Sequence, residues 1–313
     1  MHFRRFHIFL ILLLFKLPAE AQRPVDTSEI FTINGIKQYI RIKGKSDTNP
    51  LILILHGGPG SSLVNKTDKI FNRLQNHFLV VQWDQRETGE TIKLNKTKGP
   101  LSLEMFYKDS HDLIDSLLKQ YQRPKLYLVG YSWGSVMGFH IAAQYPELLY
   151  AYIAVSPMID CRRSDSISLA MIRATMGSKA VRELWQVKIP FENAEQLYYH
   201  RKWLTKIEGK GFLNQSLPRS HVEKWAATWF DVWTKSCAIN LFQTLPVINC
   251  PVYFFAGGKD YNTNSTITRE YYNALSAPKK EFYFLEEAGH ALIETNYDWF
   301  QLTVIQKILP DQQ

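Results

Sequence analysis

The pentapeptide Gly130-Tyr131-Ser132-Trp133-Gly134 constrains this 313-residue chain more than any other feature. It follows the apolar run Lys125 to Val129, which reads as a buried strand. It precedes a small-residue stretch, Gly134 to Tyr145, with Gly138, Ala142 and Ala143, which reads as a helix stopped by Pro146. A G-x-S-x-G string at such a junction forces a sharp strand-to-helix turn with its serine in a strained backbone conformation. Glycines flank the serine because side chains there would collide with neighbouring backbone. Ser132 is then exposed at the top of a sheet, beside a helix start whose dipole and free N–H groups favour a developing oxyanion. A Gly-Ser-Gly string by itself is often only a turn; the strand before it and the helix after it argue for a nucleophile.

The rest of the chain repeats the same rhythm. Leu51 to Leu55, Phe78 to Trp83, Tyr152 to Val155, Pro251 to Ala256 and Phe282 to Leu285 are short apolar runs, the pattern of parallel strands buried on both faces. Residues 29 to 43 alternate around Asn34-Gly35 and predict an antiparallel hairpin. Leu103 to Tyr121 carries Phe106, Leu113, Leu117 and Tyr121 on one helical stripe. Alternating strands and helices predict a mostly parallel, doubly wound α/β sheet. Between Asp160 and Pro246 the strand pattern stops and a helix-favouring, Trp- and Tyr-rich region intervenes before the chain returns to the sheet. That region reads as an inserted cap roofing the carboxyl ends of the strands, where such sheets bind ligands.

A serine hydroxyl needs a neighbouring base, and the base needs an acid to orient it. Asp260, just past one late strand, and His290, just past the last, follow Ser132 in the order Ser, Asp, His. Asp160, past the strand Tyr152 to Val155, is the rival for the acid. Two N–H donors must meet the oxyanion. Trp133 supplies one, and Gly57 or Gly58 of Leu55-His56-Gly57-Gly58-Pro59-Gly60 supplies the other. Pro59 and Gly60 read as a plain turn.

The first residues differ in kind. Arg4 and Arg5, the apolar run Ile8 to Leu17 and Ala19-Glu20-Ala21 have the form of a cleaved export signal over residues 1–21, predicting a periplasmic or secreted protein. The run is about half the roughly 20 apolar residues a spanning helix needs, so no stable membrane span is expected after cleavage. Cleavage removes three basic residues and one acidic residue, so the formal charge of +8 drops by two. The remaining Lys and Arg are scattered, which argues against a nucleic-acid partner. Cys161, Cys237 and Cys250 are too few and too irregular for a disulfide framework or a zinc site. One bridge, Cys161 to Cys237, is possible.

His56-Gly57-Gly58-Pro59-Gly60, Trp83-Asp84-Gln85-Arg86-Glu87-Thr88-Gly89 and Gly130-Tyr131-Ser132-Trp133-Gly134-Ser135 together resemble the proline iminopeptidase group of α/β-hydrolases. The resemblance implies the α/β-hydrolase fold, with a core at 22–160 and 247–313 and a helical cap at 161–246. It also implies the triad Ser132, Asp260 and His290, no metal or organic cofactor, and removal of an amino-terminal residue from short peptides. Two positions depart from the family pattern. Glu87 stands where the second motif usually has glycine. Thr234 follows Trp233 where the family's cap usually carries a glutamate for the substrate's free amine. Glu192, Glu195 and Asp231 are the candidates to replace that carboxylate. An esterase or lactonase acting on small substrates is the second reading, since the same triad cleaves esters. A non-catalytic ligand-binding homologue is the third.

Overall fold

The computed structural model describes residues 23–208 and 217–310, so the segment read as an export signal lies outside the described residues. Asn34 and Gly35 both have positive φ, 44° and 79°, as a two-residue hairpin turn requires. They join β1 (Val25–Ile33) to β2 (Ile36–Gly44) in antiparallel register. β2 pairs antiparallel with β4 (Leu79–Asp84), and from there the sheet is parallel. β3 (Leu51–Leu55), β5 (Leu126–Tyr131), β6 (Leu149–Val155), β7 (Val252–Gly257) and β8 (Lys280–Leu285) complete the order β1-β2-β4-β3-β5-β6-β7-β8.

Every residue of β3, β4, β5 and β7 is buried, which is why these strands read as continuous apolar runs. Side chains alternate between two cores: Leu53, Leu55, Leu128 and Phe254 face one, Ile52, Ile54, Val129 and Phe255 the other. β8, at the sheet edge, is only partly buried, and it begins two residues before its apolar run, with Lys280 Nζ donating to the Tyr272 and Leu275 carbonyls at 2.6 Å each.

Short helices α1 (Thr67–Ile70) and α2 (Thr91–Leu94) flank β4 in sequence. α3 (Leu103–Gln120) starts where the Ser102 side chain caps Met105 N–H and buries Phe106, Leu113 and Leu117. α4 (Gly134–Gln144) follows β5 directly. After β6 come α5 (Cys161–Thr175), α6 (Gly177–Leu184), α7 (Ala194–Glu208), α8 (Arg219–Ser236) and the short α9 (Leu241–Thr244), with no named strand among the described residues. The excursion closes on itself at a bridge between Asp160 and Asn240, with Leu241 N–H on Ile159 C=O at 3.0 Å. Its apolar residues, Leu169, Ile172, Leu204 and Val232 among them, belong to the same cluster as one face of the sheet. The α5 to α8 layer therefore has no separate core of its own. α10 (Ser265–Ala274) separates β7 from β8, and α11 (Leu292–Thr295) and α12 (Tyr297–Thr303) end the fold.

Among the described residues no helix is long and apolar enough to cross a membrane. Cys161, at the start of α5, and Cys237, just past α8, are unbridged but bring their Sγ atoms to 2.6 Å; Cys250 is buried elsewhere. In an oxidising compartment the first two are expected to pair. Alkylation of unreduced, denatured protein should then find one reactive thiol, at Cys250, whereas three alkylated cysteines would refute the pairing.

Candidate active site

Ser132 has a φ of +50°, a left-handed conformation that a non-glycine residue adopts only when its surroundings enforce it. The enforcement comes from packing on both sides. A Cβ on Gly134 would lie 2.1 Å from the Leu55 carbonyl oxygen, and one on Gly130 would lie 2.7 Å from the Tyr152 hydroxyl. Ser132 N–H donates to Val155 C=O at 3.0 Å, and its own C=O accepts from the Ser135 hydroxyl at 2.6 Å. The turn is thus pinned to β6 and to the first turn of α4.

The loops after β7 and β8 bring two more side chains to this turn. His290 Nε2 is 2.9 Å from Ser132 Oγ, and His290 Nδ1 is 3.1 and 3.0 Å from the two oxygens of Asp260. The carboxylate can only accept from Nδ1–H, which leaves Nε2 as the acceptor for the serine O–H. Asp260 also accepts from Thr263 N–H at 2.8 Å, Asn262 N–H at 3.1 Å and the Thr263 hydroxyl at 2.8 Å. Burial opposes charging of His290, but the Asp260 carboxylate outweighs it and the imidazole pKa stands above its usual value. Asp160, the rival acid, instead caps α5 through Arg163 N–H at 3.1 Å and accepts from Asn240 at 3.1 Å.

The glycine loop after β3 packs against the same serine. A Cβ on Gly57 would approach Ser132 Cβ to 3.1 Å, and Gly58, with φ +114°, lines the cavity above it. Trp133 N–H sits at the open start of α4. His56 anchors the loop as a neutral imidazole: its Nδ1–H donates to Gly57 C=O at 2.9 Å and Nε2 accepts from Gln85 N–H at 3.3 Å, and burial pushes its pKa down. Gln85 also donates to His56 C=O at 3.2 Å and accepts from the Trp133 indole at 3.2 Å. Arg86 pairs with the buried Asp109, which Asn34 and Gln38 also bond, each at 3.0 Å. Glu87 has a φ of +54°, which explains why glycine suits this position; here the Glu87 carboxylate accepts from Thr97 N–H at 2.6 Å.

A cavity of about 300 Å³ opens above Ser132 and His290, beneath α7 and α8. Trp225 donates to Pro59 C=O at 2.9 Å, and the position of a Gly60 Cβ lies 2.9 Å from the Trp229 indole nitrogen. The Pro-Gly pair that reads as a plain turn is therefore the seat on which the cap tryptophans rest. Glu192, Glu195 and Asp231 do not line this cavity. Glu192 pairs with Lys188 and Glu195 with Arg219, both carboxylates about half exposed, and Asp231 lies on the solvent face of α8, opposite Trp229 and Trp233. The carboxylates that do approach the triad are Glu294, which lines the cavity and pairs with Lys66, and Glu208 at the end of α7. Glu294 is signalled only by standing one helical turn beyond His290; nothing in the sequence marks Glu208.

One Glu208 oxygen accepts from Tyr261 N–H at 2.9 Å and Asn262 N–H at 3.0 Å, tying the cap to the loop that carries Asp260. The other oxygen is buried without a hydrogen-bond partner among the described residues. Burial, with the nearby Asp260 charge, raises the Glu208 pKa to about 8. A carboxyl raised above its unfolded value favours the folded state most at low pH and loses that contribution as pH rises through about 8. Glu208→Gln keeps the accepting oxygen and removes the titration. The melting temperature of the variant should fall less between pH 6 and pH 9 than that of the parent protein, and parallel curves would contradict the assignment.

An eight-stranded, mostly parallel sheet with a serine at a strained strand-to-helix turn and a histidine beyond the last strand defines an α/β-hydrolase. Within that class the chain belongs to the family described as serine aminopeptidase, S33, whose model matches residues 46–296. It is 26% identical over 289 residues to a probable aminopeptidase, YbaC, of Bacillus subtilis, spanning 83% of this chain and 89% of that one. It is 24% identical over 201 residues to a proline iminopeptidase of Lactobacillus helveticus, covering 62% of this chain and 61% of the relative. The crystal structure of a proline iminopeptidase from Mycobacterium smegmatis superposes with a TM-score of 0.65 at 16% identity, covering 91% of this chain and 99% of that one, a likeness of fold.

Proposed function

We propose that the protein is an exported aminopeptidase that removes an amino-terminal residue, proline-type residues first, from short peptides through an acyl-enzyme on Ser132. The observation that carries this reading is the continuous chain of contacts from Ser132 Oγ through His290 to Asp260, opening into a roofed cavity in a serine aminopeptidase family member. In this reading His290 takes the serine proton as Ser132 Oγ attacks the scissile carbonyl, and Asp260 stabilises the imidazolium. The N–H groups of Trp133 and of Gly58 or Gly57 receive the oxyanion, each worth about 3 kcal/mol of barrier. His290 then gives its proton to the departing amine, and water releases the acyl group by the same steps in reverse.

The free amine of the substrate needs a counter-charge once it leaves water for the largely apolar cavity. Glu294 is the carboxylate that borders the cavity, only 9% exposed at its side chain, and it takes the role first expected of Glu192, Glu195 or Asp231. The B. subtilis relative, named a probable aminopeptidase, supports the same class. The cavity's aromatic lining, Tyr131, Trp225 and Trp233, equally suits small esters, which makes esterase activity the competing reading. A panel of aminoacyl arylamides, their amino-acetylated forms and p-nitrophenyl esters separates the two. Prolyl and alanyl arylamides should be cleaved and their acetylated forms should be at least about a hundredfold slower, as expected when the ammonium recognised in the transition state is replaced by a neutral amide. Equal rates for free and blocked substrates, or esterolysis alone, would overturn the aminopeptidase reading.

A further inference from the structure

Arg201, on α7, lines the same cavity as Ser132 and His290, with a side chain only 14% exposed. Its guanidinium is held by four groups. Nη1 donates to Asp165 at 2.7 Å and to His200 Nδ1 at 2.8 Å, and the carbon at its centre lies 5.6 Å from the Phe191 ring centroid and 5.7 Å from that of Trp233. Arginine cannot accept a hydrogen bond, so His200 Nδ1 must be the acceptor and its proton sits on Nε2. That nitrogen is 3.0 Å from the Ser168 hydroxyl and 3.3 Å from Asp165 C=O, both able to accept. Burial and the adjacent Arg201 charge hold His200 neutral, its pKa well below the usual value. The arrangement fixes the guanidinium plane and its charge.

Joining α5 to α7 through Asp165 uses a single nitrogen of the guanidinium. Here both bonds come from Nη1. The Nη2 and Nε donors have no hydrogen-bond partner among the described residues, although they belong to a side chain that borders the catalytic cavity. Nε and Nη2 form one edge of the guanidinium fork, the geometry that binds a carboxylate through two parallel hydrogen bonds. Glu294, the acidic residue lining the cavity, is already paired with Lys66.

We infer that Arg201 is a specificity-determining residue that receives a carboxylate of the substrate, so that the preferred substrates are small carboxylate-bearing molecules. Resting on the aminopeptidase reading, these are free dipeptides whose terminal carboxylate meets Arg201 while the scissile carbonyl meets Ser132. A cavity of about 300 Å³ suits a molecule of that size.

Two measurements test this on the full-length protein. The first compares kcat/KM for prolylglycine and prolylglycinamide. The second compares 3-phenylpropionate with 3-phenylpropionamide as protectants of Ser132 against a fluorophosphonate, a readout that requires no peptidase activity. The acid should be the better substrate by at least about tenfold, mostly through KM, and the better protectant by a similar factor, as for a site built around a charge-assisted bond. Arg201→Gln combined with Asp165→Asn, which removes both charges together, should abolish the two preferences, and Arg201→Lys should restore them in part. Acid-selective protection without cleavage of either peptide would retain the Arg201 site and defeat the aminopeptidase reading. Equal protection by acid and amide in the parent protein, or preferences that survive the double substitution, would overturn the inference.

Discussion

The backbone conformation of Ser132 is the constraint on which the rest of the site depends. A φ of +50° at a residue with a side chain is tolerated only because β3, β5 and β6 close around it. The same packing that forbids a side chain at Gly134 puts the end of β3 against the start of α4. The loop after β3 must therefore begin beside the serine, and the Gly57 and Gly58 backbone is delivered next to Ser132 by sheet geometry. The buried links among His56, Gln85 and the Trp133 indole then hold that loop to the second polar motif. Three sequence motifs far apart in the chain are one physical object, a rigid floor for the reaction.

The roof is joined to the floor by polar contacts at few points. Trp225 reaches Pro59, Glu208 reaches the Asp260 loop, and Arg163 pairs with Glu270 at the outer edge. The first two touch the segments that carry Gly57 and Gly58 and Asp260, so displacement of the cap would disturb those segments as well as the cavity wall. The buried Arg201 and Asp165 pair lies inside the roof itself, and its desolvated charges are tolerable because Cys161, His200, Phe191 and Trp233 surround them with fixed dipoles and ring faces.

The floor was legible in the sequence because its signals are local. Asn34-Gly35 announces its own turn, buried parallel strands must be continuous apolar runs, and the elbow needs its glycines wherever it occurs. Asp260 and His290 were legible through their positions just past strands, and the distances to His290 separate Asp260 from Asp160. The cap was legible only as a helical insertion. Which of its charges face inward depends on helical phase and on how the four helices pack, and neither is encoded over a few residues. Asp231 stands two residues from both Trp229 and Trp233, which puts it on the opposite face of α8 from the tryptophans. Glu208 and Arg201 carry no local mark, since Tyr261, which donates to Glu208, and Asp165, which pairs with Arg201, each stand more than thirty residues away.

The central claim is that Ser132, His290 and Asp260 act as one proton-transfer unit. Steady-state turnover of Ser132→Ala and His290→Ala, each confirmed folded by its circular dichroism and melting temperature, tests it most directly. The account predicts that either substitution lowers kcat by at least about a thousandfold, with little further loss when the two are combined. Activity within about tenfold of the parent protein in either folded variant, or losses that multiply in the double variant, would contradict it.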